Sequence, residues 1–91
     1  MELKWTGKAL SDLKRLHSFL AAVNPRAAAQ VARSLSAAPV RLIAHPRLGE
    51  KLDEFDPREV RRILVGRYEI RYEIRASAIF VLRLWRTRED R

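Results

Sequence analysis

Arginine supplies most of the chemistry in the last third of this 91-residue chain, where residues 58–91 hold ten arginines against five acids: Glu59, Glu69, Glu73, Glu89 and Asp90. A guanidinium is planar, weakly hydrated and forks onto carboxylates and phosphates, so the bias favours recognition of an anionic partner over simple solubility. The predicted partner-binding residues are Arg62, Arg67, Arg71, Arg83, Arg86 and Arg88, with Trp85 among them. Trp85 shares a strand parity with Arg83, as either an apolar plug on a second sheet face or a platform for a partner. Glu69 and Glu73 share a strand face and are spaced for a carboxylate pair. They alternate with Arg67, Arg71 and Arg75, however, which marks a solvated or salt-bridged surface. Tyr68 and Tyr72 fall on the opposite parity, where rings pack and hydroxyls find partners. His17 and His45 read as packing or capping residues. Gly7, Gly49 and Gly66 are scattered at turns and build no phosphate-cradling loop. No Cys or His cluster has metal-ligand spacing, so neither a metal nor another cofactor is expected.

The elements that must hold these side chains follow from periodicity. Tyr68, Ile70, Tyr72 and Ile74 alternate with Arg67, Glu69, Arg71, Glu73 and Arg75, which predicts a half-buried strand over 67–75. The next run places Phe80, Leu82 and Leu84 on one parity and Ile79, Val81, Trp85 and Arg83 on the other, so it predicts a central strand to about Thr87, covered on both faces. A strand from Arg58 to Val65 precedes them, turning at Gly66. Upstream, Glu2–Trp5 alternate as a short strand and Thr6 is a preferred N-cap. Leu10, Leu13, Leu16, His17 and Leu20 then form one stripe of a helix from Lys8 to about Val23. Asn24-Pro25 starts a second helix, with Asn as cap and Pro in the first turn. Its stripe is Ala28, Val31, Leu35, Ala38 and Leu42. Pro39 lacks the N–H owed to Leu35, which predicts a kink with continuation to about Ala44. His45–Gly49 ends the helix, residues 50–57 form an acidic loop, and Arg88–Arg91 is a charged tail.

This order predicts an α+β fold, strand-helix-helix-strand-strand-strand, with a helical hairpin packed on one face of a mainly antiparallel sheet. Ninety-one residues suit a single domain over 1–91. The net charge of +8 arises from 19 basic and 11 acidic residues, and 15 of the basic residues are arginine. No apolar run approaches the roughly 18 residues of a membrane span. The start Met1-Glu2-Leu3-Lys4-Trp5 lacks secretory-signal character and the chain has no cysteine, so a soluble cytoplasmic protein is expected.

Several segments together resemble the RelE/ParE superfamily of type II toxin-antitoxin toxins, over essentially the whole length. They are the strand ending in Trp5, Asp12-Leu13, Asn24-Pro25, the His45-Pro46-Arg47-Leu48-Gly49 turn, the Tyr68–Ile74 strand, and Val81 to Glu89. The resemblance implies a compact toxin neutralised by an antitoxin with a tail that folds on binding, a ribbon-helix-helix ParD-like protein in a toxin–antitoxin hetero-oligomer. RelE-like members cut messenger RNA on the ribosome, whereas ParE-like members poison DNA gyrase. For the nuclease branch, the resemblance implies Arg71, Arg83, Arg86 and Arg88 as phosphate and transition-state ligands, with Tyr72 or Lys51 assisting. Nuclease members typically carry an arginine three residues before the tyrosine matching Tyr72; this chain has Glu69. Many relatives end the last strand with Trp-His-Thr-Arg-Glu, where this chain has Arg86 in place of the histidine. A carboxylate repels phosphate, and an arginine stays protonated and shuttles protons poorly. The ParE-like branch, inhibiting gyrase without nuclease chemistry, is therefore the favoured reading.

Overall fold

The computed structural model of the protein describes residues 1–88; the last three residues of the predicted charged tail lie outside them. The elements run β1 (Glu2–Trp5), α1 (Gly7–Ala21), α2 (Pro25–Ala37), α3 (Arg41–Ala44), β2 (Glu50–Lys51), β3 (Glu59–Val65), β4 (Tyr68–Arg75) and β5 (Ala78–Arg86). Short 3-10 turns lie at Ala38–Val40 and Asp53–Phe55. One sheet is ordered β1-β5-β4-β3-β2, antiparallel except for the parallel pair β1 and β5. The α+β order read from the sequence is the one observed, with two short additions in the acidic loop: β2 and the turn ending at Phe55. Among the described residues, no helix is long and apolar enough to cross a membrane.

Local chemistry sets the helix boundaries. The Thr6 hydroxyl accepts from the Ala9 amide at 3.2 Å and donates to the Val81 carbonyl at 2.9 Å, so one side chain both caps α1 and ties it to β5. Asn24 Oδ1 accepts from the Ala27 amide at 3.1 Å, and Pro25 opens α2. At Pro39 the helix tightens into a 3-10 turn and resumes as α3, the kink that a missing amide requires. The packed face of α1 is rotated from the predicted stripe. Ala9, Asp12 and Leu16 are buried, whereas Leu10 is 53% exposed and His17 faces solvent. A carboxylate therefore occupies the centre of the helix's buried face, where the pattern of leucines alone gave no place for it.

The core lies between the helices and one sheet face. It joins Ala9, Leu16, Leu35 and Leu42 to Ile63, Ile70, Tyr72, Ile74, Ile79, Val81 and Leu84. Simple alternation along β5 fails here. Arg71 pairs with Arg83 but Tyr72 pairs with Val81, so Leu82 is the extra residue of a β-bulge. The bulge reverses the parity of everything beyond it. Ile79, Val81 and Leu84 thus share the helix-covered face opposite Ile74, Tyr72 and Ile70, while Phe80, Arg83 and Trp85 share the other face opposite Glu73, Arg71 and Glu69. This corrects the predicted grouping of Phe80, Leu82 and Leu84.

Candidate functional site

The sheet face away from the helices is built from paired charges. Glu69 and Glu73, expected as solvated or salt-bridged surface, are salt-bridged but only 0% and 3% exposed. Glu69 receives Arg62 at 3.3 Å and Arg71 at 3.4 Å. Glu73 takes Arg58 through two hydrogen bonds of 3.1 and 2.9 Å, with Arg75 at 3.7 Å. The same sharing recurs at Glu59, held by Arg47 and Arg61 at 2.9 Å each, and at Asp12, held by Arg83 and Arg15. Each of these four carboxylates binds two guanidiniums, which leaves a surplus positive charge at Glu73, Glu59 and Asp12; at Glu69 the second charge is matched by Glu50, which also pairs with Arg62. Hydrogen bonds from Arg58 hold the Glu73 carboxyl below the ordinary 4.5.

Aromatic rings cover this ionic layer. The Arg71 guanidinium carbon lies 5.2 Å from the centre of the Phe55 ring and 4.7 Å from that of Trp85, with Arg83 5.7 Å from Trp85. Guanidinium planes stack on aromatic faces, which keeps the buried charges dry on one side. Of the two readings left open for Trp85, the geometry is that of a buried plug, since its ring is 7% exposed.

Asp12 is the residue that pattern reading passed over. Its Oδ2 accepts from Arg83 Nε at 2.7 Å and from the Leu84 backbone amide at 2.9 Å, and its Oδ1 accepts from Arg83 Nη2 at 3.2 Å. β1 pairs with β5 only as far as Val81. Beyond the bulge the β5 edge meets α1, and Asp12 supplies the acceptor that a neighbouring strand would have given Leu84. Burial pushes the Asp12 carboxyl up, but the bonds from Arg83 and the Leu84 amide outweigh it and hold it below the ordinary 3.8. The sequence carried no signal for this pair, because Asp12 lies off the predicted leucine stripe and Arg83 stands 71 residues away.

Tyr72 lies beside the Glu59 group, whose Arg61 donates to the Gly49 carbonyl at 2.8 Å. Tyr72 is fully buried; its hydroxyl donates to the Pro46 carbonyl at 2.7 Å and accepts from the Gly49 amide at 3.0 Å. Burial pushes that hydroxyl above its ordinary 10.0. Gly49 is required there, because a Cβ would sit 2.4 Å from the Arg62 carbonyl oxygen and 2.8 Å from the Tyr72 hydroxyl. Lys51, on β2, pairs with Asp56 at 3.2 Å. Arg62 also reaches Glu50 at 2.6 Å.

The remaining predicted residues gather at the far end of the β4–β5 pair. A groove of about 440 Å³ runs between the helices and the β3–β4 turn, walled by Leu20, Val31, Leu35, Val65 and Tyr68, with Arg67 and Arg86 on its rim. It adjoins a polar cavity of about 290 Å³ lined by Gly66, Arg67, Arg86, Thr87 and Arg88. Gly66 turns this corner at φ +59°, a conformation costly for residues with a Cβ. The structure thus divides the predicted partner residues in two: Arg62, Arg71, Arg83 and Trp85 on the ionic face, and Arg67, Arg86 and Arg88 beside the apolar groove.

The sequence matches, over residues 3–91, the family model described as the ParE toxin of type II toxin-antitoxin system, parDE. Nine chains of solved structures match the fold. One of them, described as a chromosomal ParDE TA system from P. aeruginosa, superposes with a TM-score of 0.80 at 22% sequence identity, covering 94% of this chain and 95% of that chain. A search of curated proteins finds no significant match.

Proposed function

The chain belongs to the ParE toxin family of type II toxin-antitoxin systems, and we propose that it acts by inhibiting DNA gyrase and is neutralised by a cognate antitoxin, a ribbon-helix-helix ParD-like protein. The observation that carries this reading over messenger-RNA cleavage is the engagement of Tyr72. Its hydroxyl is shared between Pro46 and Gly49 inside the core, out of reach of a scissile phosphate. Glu69 lies buried beneath Arg62 and Arg71, so the position where a nuclease carries an arginine instead anchors two of them. Arg86 offers charge but no proton at working pH.

For the antitoxin, the groove walled by Leu20, Val31, Leu35 and Tyr68 suits the apolar side of an amphipathic tail. Arg67, Arg86 and Arg88 at its end suit acidic residues on the same tail. Purified protein added to gyrase should block supercoiling of relaxed plasmid, and the co-expressed antitoxin should restore it. In cells, expression without antitoxin should stop growth with filamentation and a DNA-damage response. Codon-specific cleavage of messages on ribosomes with gyrase untouched would reject the reading in favour of the RelE-like nuclease.

A further inference from the structure

We propose that the cleft between the first turn of α1 and the ionic sheet face is a binding site for single-stranded nucleic acid. The cleft has a volume of about 610 Å³ and is lined by Lys8, Phe55, Arg58, Arg71 and Arg83, with Thr6, Gly7 and Leu82 completing the wall. Four cations thus converge on one concave surface. Their carboxylate partners do not neutralise it from the solvent side. The side chains of Glu73, Glu69 and Asp12 are 4%, 0% and 7% exposed, against 54%, 20% and 44% for Arg58, Arg71 and Arg83. The negative charges form a floor and the guanidiniums lie above it.

That layering gives the site its selectivity. The floor carboxylates fix the orientation of the arginine forks, so the cleft is preorganised for an anion and loses little side-chain freedom on binding. Arg58 and Arg83 each give two hydrogen bonds to a buried carboxylate, which fixes the forks and leaves their charge to attract any anion; an acidic peptide would use that charge alone. A polynucleotide strand brings two features the cleft can use together: phosphates for the cations, and flat bases for the partly exposed Phe55 ring, with Arg71 packed on it at 5.2 Å. A basic groove with an aromatic platform is the usual means of holding a single strand without reading its sequence. In a duplex the bases are stacked and unavailable to Phe55. The site is independent of gyrase as target, and gyrase has no part in its test.

Fluorescence anisotropy with a short fluorescein-labelled single-stranded deoxyoligonucleotide tests it, over a range of salt. Lys8 makes no ion pair among the described residues, so Lys8→Glu leaves the charge layers intact; it should weaken binding about tenfold at low salt and lower the log–log salt slope by roughly 0.7. Phe55→Leu should weaken binding roughly fivefold or more through lost stacking. Arg33→Glu, an equal charge change on the exposed side of α2, should leave affinity within about twofold if binding is local. Equal losses from Lys8→Glu and Arg33→Glu would show a diffuse field and overturn the site. So would a duplex or a polyglutamate peptide that binds as tightly as the single strand. Displacement of the strand by inorganic phosphate at equal phosphate concentration would reassign the cleft to free phosphate.

Discussion

Replacing Tyr72 by phenylalanine separates a structural tyrosine from a chemical one. The change keeps the ring in the core and removes one oxygen, which makes hydrogen bonds of 2.7 Å to Pro46 and 3.0 Å to Gly49. Gly49 is buried, so its amide is left without an acceptor, at about 1–3 kcal/mol; the half-buried Pro46 carbonyl adds about 1 kcal/mol. The expected loss is therefore about 2–4 kcal/mol, out of a total near 5–14 kcal/mol for a chain of this length. With a urea slope of about 1.5 kcal/mol/M, the unfolding midpoint should fall by roughly 1–3 M. Trp85 fluorescence reports the transition, since the ring packs beside Arg71 in the folded state. At low temperature the folded variant should still inhibit gyrase, because the hydroxyl touches only the chain itself. An unchanged midpoint would refute the assignment of the hydroxyl to the fold. Loss of gyrase inhibition by a fully folded variant would refute the claim that it has no direct part in function.

Three further perturbations test the packing and the charge layers. Leu35→Ala, at a fully buried position, should lower stability by about 3–5 kcal/mol in urea unfolding, whereas Leu13→Ala, half-buried at the helix–sheet contact, should lower it by about half that. Arg83→Glu should destabilise by about 1–3 kcal/mol, since it sets a second carboxylate beside the buried Asp12; Arg86→Glu, at the groove rim, should leave the midpoint within about 0.5 kcal/mol. Asp12, Glu59 and Glu73 all have folded pKa values below the ordinary 3.8 and 4.5. Their contribution to stability is fully present above those values and is lost as pH falls through the lower folded ones, so thermal midpoints should hold from pH 7 to 5 and drop below about 4.5. Asp12→Asn should flatten that acid limb; a limb of undiminished depth would deny Asp12 its share.

The helices and the order of strands were legible because their signals are local. Thr6, the Asn24-Pro25 pair and Pro39 act on amides within four residues of themselves, so their consequences can be read without knowing what packs nearby. The Leu82 bulge is different in kind. Nothing in Val81-Leu82-Arg83-Leu84 disfavours regular alternation, and the extra residue is set by where β1 stops pairing and α1 crosses the β5 edge. β2 was missed for a similar reason, since two residues carry no period and become a strand only through their partners Arg61 and Arg62.

The arginine file shows the same limit at the level of function. Counted along the chain, ten arginines against five acids suggest a surface waiting for a partner. Counted in space, Glu69 and Glu73 each hold two of them, Asp12 and Glu59 each hold one together with Arg15 or Arg47 from earlier in the chain, and three of those four carboxylates are buried. A buried carboxylate with a single arginine would give a neutral pair; with two, it anchors both side chains and still leaves positive charge outside. Replacing these pairs by apolar residues can preserve stability, as buried ion pairs often add little net energy. It would erase the field. Shared carboxylates therefore let one set of arginines serve two ends, fixing the sheet's outer face from below and keeping the chain cationic above, where a phosphate backbone would meet it.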